Sequence, residues 1–218
     1  MRNLFNLDNP VVQFLARVGD LIIVNALFLI CCVPLVTIGA SIAAMHKVTQ
    51  AIAFDEDNGI VKTFFRGFRE NFRQATAAWL LMVVYAVSVA CNYLIIVGFA
   101  AGNMALVLKW LLIVLSALVV ILAAYLFPLL ARYQNTLRQH AMNALILAVV
   151  KLPRTVGLVG LSILPVLIAV ISFQTFLQTL IFWVVVGFGF TSYMSSTLLK
   201  PVFREMEDKT GAGVQVMT

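Results

Sequence analysis

An all-α, polytopic membrane fold is the expectation for this chain, and three observations carry it. Hydrophobic residues make up 62% of its 218 residues and charged residues only 11%, against roughly 45–50% and 25% in soluble domains. Mean hydropathy is +1.02. Stretches free of Asp, Glu, Lys and Arg run over 21–45, 74–108, 110–131 and 155–199. A soluble core of this size would leave too much apolar surface in water, because burial in small domains is incomplete. The net charge of +6 does not point to nucleic acid: basic residues are few and fall where membrane orientation needs them.

Each stretch is sized against a hydrocarbon core of about 30 Å, which takes roughly 20 apolar residues. One helix fits in each of the first three. The fourth would run roughly 67 Å at about 1.5 Å per residue, so it must fold back. The polar break Ser172-Phe173-Gln174-Thr175, with Gln178, is the expected turn. About five spans result, over 11–33, 75–98, 106–130, 155–172 and 177–198. With this count, Arg2, Arg17 and Lys109 fall on one side of the membrane and the other twelve Lys and Arg on the opposite side. The positive-inside rule makes the richer side cytoplasmic. The expectation is a multi-pass cell-membrane protein with its N-terminus outside and its C-terminus in the cytoplasm. The first span has no basic n-region leading to an A-x-A-like site and reads as a retained helix. Cys31, Cys32 and Cys91 lie inside spans and read as buried small hydrophobes.

Between spans, three segments read as cytoplasmic interfacial helices, near 40–54, 61–74 and 136–150. The second has the strongest pattern. Val61, Phe64, Phe65, Phe68 and Phe72 repeat at helical spacing as one apolar stripe, and Lys62, Arg66, Arg69 and Arg73 as a basic one. Such a helix lies among lipid head groups; the same face would serve as a docking surface. Pro153 suits a bend from the third interfacial helix into the fourth span. The order interfacial helix, span, turn, span is stated over 61–131 and again over 137–199.

The stretch from Val33 to Lys47 is the most informative. Pro34 should end the first helix, Gly39 allows a turn conformation that other residues avoid, and Thr37 or Ser41 can cap the helix that follows. A turn at the cytoplasmic side or a proline kink within one span over 21–44 both fit.

Few polar residues enter the spans. Asp20 is expected to pair with Arg17 three residues away, a proton or substrate site being the alternative, and Asn25 and Asn92 to bond between helices. Gly98 and Gly102 have small-xxx-small spacing but read as an outer turn, and Gly187 and Gly189 as helix contact points. Groups for catalysis are missing from the sequence pattern. His46 and His140 stand near interfaces with no H-E-x-x-H, and no G-x-S-x-G turn, phosphate-cradling loop or paired intramembrane carboxylates occur. No enzyme, metal or cofactor is expected.

Several motifs together resemble the YesL family of bacterial membrane proteins, also known as DUF624. They are Asp20-Leu21 with Asn25, Pro34-Leu-Val-Thr-Ile-Gly-Ala-Ser41, Ala43-Ala-Met-His-Lys47, Phe64-Phe-x-x-Phe-Arg-x-Asn-Phe-Arg-Gln-Ala75 and Trp79-Leu-Leu. Phe127-Pro-Leu-Leu-Ala-Arg-Tyr133, Lys151-Leu-Pro-Arg-Thr155 and Tyr193 with Phe203-Arg-Glu-Met-Glu207 agree with it. The resemblance implies a small multi-pass protein encoded near carbohydrate importers and their sensors, and it supplies no catalytic residues. The expected function is that of a non-enzymatic accessory protein of a carbohydrate uptake or sensing system, with a membrane transporter or sensor protein and the lipid bilayer as partners. A small transporter or channel subunit is the alternative.

Overall fold

The computed structural model describes residues 10–56, 59–99 and 102–216. Arg2 and part of the expected outer turn through 98–102 lie outside them. The described residues form α1 (Pro10–Cys32), α2 (Ile38–Ala53), α3 (Ile60–Phe99), α4 (Gly102–Arg132), α5 (Leu137–Val150), α6 (Leu152–Ile171), α7 (Phe173–Phe182) and α8 (Phe188–Val216). A π-turn, Trp183–Gly187, joins the last two. The protein is thus an all-α polytopic membrane fold. Six helical segments are long and apolar enough to cross a bilayer, where the sequence reading had five. The sixth is Leu35–Ala53, containing the helix expected to lie at the interface.

Pro34 stops α1 at Cys32, and a 3₁₀ turn over Leu35–Thr37 reverses the chain into α2. Neither Thr37 nor Ser41 caps α2 through its side chain. The Thr37 hydroxyl instead donates to the carbonyls of Cys31 (2.6 Å) and Pro34 (2.7 Å), and Ser41 donates to Thr37. Thr37 thereby satisfies carbonyls that a helix end leaves orphaned. The reversal excludes a kinked single span. α2 returns along α1, bringing Asp55 to within 3.1 Å of Arg17.

Gly39 is needed for closeness, not for a turn. It lies within α2, and a Cβ there would stand 2.6 Å from Trp79 Cβ and press on the Ala75 carbonyl. With Ala43 and Ala44 it forms a small-residue face against Gly67, Ala75 and Ala78 of α3. Small faces of this kind let helices approach where lipid offers no hydrophobic drive. The Trp79 indole N–H donates to Leu35 O (2.9 Å) and fastens the α1–α2 tip to α3. At that tip Val33 and Leu35 are more than 70% exposed, which suits lipid and not water.

The interfacial helix expected over 61–74 and the span expected after it are one continuous 40-residue helix, α3. Nothing between Gln74 and Ala78 breaks it: the sequence there is Gln-Ala-Thr-Ala-Ala. α5 and α6, by contrast, are separated at Lys151, with proline in the first turn of α6. Thr155 mends this gap. Its hydroxyl donates to Ala148 O (2.8 Å) and lies 2.9 Å from the Tyr125 hydroxyl of α4. A capping box starts α5, with Thr136 and Gln139 satisfying each other's N–H. α6 ends at Ile171, Ser172 is extended, and its Oγ accepts from Thr175 N at the start of α7.

Candidate functional site

Charge is concentrated at one end of the bundle. Arg17 of α1 pairs with Asp55, and Lys200 of α8 stands 4.0 Å from the other Asp55 oxygen. Arg132, at the end of α4, reaches Glu56 and Glu207, each at 3.0 Å, and lies 4.0 Å from the Phe54 ring centroid. Lys151 pairs with Glu205 (2.7 Å), and Lys47 with Glu70. Partly exposed pairs like these are worth about 0–1 kcal/mol each, so their value is positional. They place the start of α1, the α2–α3 connection, the end of α4 and the middle of α8 together. The alternation read from the sequence put Arg17 and Lys200 on opposite sides of the membrane; the structure brings both to Asp55. Arg17 also pairs there and not with Asp20, which lines a cleft of about 470 Å³ beside Asp55, Glu56 and Thr63.

The four cations of α3 differ from these. Lys62, Arg66, Arg69 and Arg73 are exposed, and none forms an ion pair among the described residues. Phe65 and Phe72 flank them, 50% and 41% exposed. The rest of the expected phenylalanine stripe faces elsewhere. Phe64 is fully buried against Leu21, Val24, Met45 and Val48, and Phe68 is half-buried beside it. The inward face of α3 is therefore Thr63, Phe64, Gly67, Ala75 and Ala78. Of the stripe, Val61, Phe65 and Phe72 remain exposed to accompany the basic band.

Asn25 is fully buried and joins α1 to the π-turn. Its amide donates to Val184 O (2.6 Å) and Trp183 O (3.2 Å), and its oxygen accepts from Gly189 N (2.9 Å). A π-turn shifts backbone carbonyls out of α register, and this amide meets them. Gly189 is small for the same contact: a Cβ there would lie 2.8 Å from Leu21 O. Asn92 does not bridge helices; its amide donates to Ser88 O (2.8 Å) within α3. Cys91 is exposed, and Cys31 and Cys32 are partly so.

Sequence reasoning missed a buried hydroxyl cluster between α2 and α8. Thr49 Oγ1 lies 2.8 Å from Ser192 Oγ and 3.0 Å from Ser196 Oγ, and Ser192 meets His46 Nδ1 at 3.0 Å. Gln50 beside it donates to Pro128 O (2.9 Å). The i, i+4 serines of α8 were the available signal. It also missed an amide-rich pocket of about 430 Å³ lined by Glu70, Asn71, Gln74, Tyr133, Gln134 and Asn135. Burial and the nearby Glu207 carboxylate push the Tyr133 phenol up to about 12, so it keeps its proton. No group of three or more His, Cys, Asp or Glu among the described residues is arranged to hold a metal ion.

Comparison with known proteins gives a single positive finding. No curated protein and no solved structure matches the chain. Residues 21–93, from α1 through α2 into α3, match the model of the family described as "Protein of unknown function, DUF624", which is the family that the sequence resembles.

Proposed function

We propose that this chain is a non-enzymatic accessory protein of the cell membrane that captures a membrane partner on the basic band of α3. The observation that carries this reading is the contrast between two sets of cations. Arg17, Lys47, Arg132, Lys151 and Lys200 are occupied by the protein's own carboxylates, whereas Lys62, Arg66, Arg69 and Arg73 project beside Phe65 and Phe72 without an ion pair among the described residues. A partner with an acidic rim and an apolar centre complements this arrangement. The sugar connection rests on the family resemblance, which suggests a carbohydrate transporter or its sensor as the partner.

The charged end is the cytoplasmic side in this reading. Among the cations with described side chains, Lys109 alone lies towards the opposite end, a stronger bias than the one read from the sequence. The start of α1 and the end of α8 are then cytoplasmic, and α1 and α2 form a hairpin that enters from that face. Charge reversal of Arg66, Arg69 and Arg73 abolishes partner recovery from mild detergent while the protein still inserts. Recovery unchanged from wild type would overturn the docking role.

A small solute carrier is the second reading, favoured by the hydroxyl cluster of Thr49, Ser192 and Ser196 in the interior. It requires solute flux from liposomes that falls when Thr49 and Ser196 are replaced by Val and Ala.

A further inference from the structure

One helical turn along α3 from the amide-rich pocket lies a second depression. Residues 70, 71, 74, 78, 81, 82 and 85 follow one another along a single face of α3. The first three line the polar pocket. The others line an apolar groove of about 220 Å³ closed by Leu122 and Leu126 of α4 and by Leu137 and Ala141 of α5. Gln134 and Asn135 belong to the polar part, and Leu137 begins the apolar part. Gln74 sits at the junction. Its amide donates to Asn135 O (3.1 Å), but its Oε1 is buried without a partner among the described residues. Such an acceptor is costly to leave unmet. Arg73 and Arg138 are exposed beside the junction, and neither forms an ion pair among the described residues.

A polar pocket one turn from an apolar groove, at the boundary between the charged end and the spans, matches an amphiphile's profile. We propose that the two form one site, the seat of an anionic phospholipid. Its head group lies among Asn71, Gln74, Gln134 and Asn135, and one acyl chain follows Ala78, Met82 and Leu126. The amides donate to phosphodiester oxygens, a head-group hydroxyl donates to Gln74 Oε1, and Arg73 and Arg138 supply the positive field. The groove favours an acyl chain over a partner's helix because its lining is apolar along its length and a lipid tail makes no hydrogen-bond demand on it.

Native mass spectrometry of the full chain, titrated with phosphatidylglycerol or phosphatidylcholine of identical acyl chains, tests this. One phosphatidylglycerol is expected to remain bound at about tenfold lower lipid concentration than phosphatidylcholine. Gln74→Leu and Arg138→Gln bring the two lipids level. Ala141→Phe fills the groove and weakens both. Arg138 is exposed, so its replacement leaves the fold in place even where Ala141→Phe does not. Equal retention of both lipids by the wild type, or unchanged retention in Arg138→Gln, would overturn the site. Charge reversal at Arg66 and Arg69 leaves lipid retention unchanged, which separates this site from the partner-docking face.

Discussion

The two hairpins that make up most of the bundle solve the same problem differently. In the first, α3 passes from the charged end through its span as one helix of 40 residues. In the second, the equivalent path is divided into α5 and α6 at Lys151, and the returning helix is divided again by the π-turn before α8. Continuity in α3 comes from a close neighbour: α2 lies against its first five turns through glycine and alanine. In the second hairpin side chains meet the breaks instead, Thr155 at the first and Asn25 at the second. Helix packing and polar stitches are thus exchanged for one another. Small-residue packing keeps a helix whole, and hydroxyls and amides satisfy the backbone where it is broken.

This contrast can be broken from either side. Ala77→Pro would give α3 the discontinuity of the other hairpin without its stitches, at a cost of about 3 kcal/mol or more; loss of the cooperative melt in detergent is the expected result. Gly39→Ala forces α2 away from Ala75 and Trp79 and should cost about 1–3 kcal/mol. The matched control, Gly157→Ala, meets only the flexible end of Leu198 at 3.3 Å and should stay within about 0.5 kcal/mol. Equal melting temperatures for the two glycine variants would contradict the packing account. Asn25→Leu removes three hydrogen bonds at the π-turn and should cost about 2 kcal/mol, with faster amide exchange confined to Val184–Gly189. Thr155→Val should cost about 1 kcal/mol and raise exchange around Lys151 alone.

The smallest effect is a pH dependence. His140 of α5 is buried, its Nδ1 has no partner among the described residues, and burial holds its pKa below the ordinary 6.5. The unfolded chain then binds the proton first, so His140's contribution is complete above about pH 6.5 and declines as the pH falls below it. A melting temperature that drops from pH 7.5 to 5.5 in the wild type, and drops less in His140→Leu, is the expected outcome.

Much of this architecture was legible in the sequence because charge-free length and helix breakers report directly on spans. Pro34 ends α1, and Ser172 divides the last apolar stretch, for the reasons their chemistry gives. The inward face of α3 was not legible. In water an apolar stripe marks the core, but beside lipid it marks either surface, so Phe64 and Phe65 look alike though one is buried and the other exposed. Gly67, Ala75 and Ala78 were the better guide, since only close packing rewards small residues there. The return of α2 along α1 also escaped notice. Counting cations assigns segments to sides only after the number of crossings is chosen, and Arg17 changes side when α2 is counted. The partners of Asn25 are backbone carbonyls of a π-turn, and no residue type announces those.

The hairpin of α1 and α2 bears finally on how the chain enters the bilayer. With the charged end cytoplasmic, as proposed, the segments to be carried across are the connections at Pro34, between α3 and α4, and at Ser172. Moving Lys or Arg through the hydrocarbon centre costs about 2.5–3.5 kcal/mol each, and among the described residues Lys109 is the sole cation subject to it. In the orientation proposed above, the described residues can enter as three successive hairpin insertions from the ribosome's side.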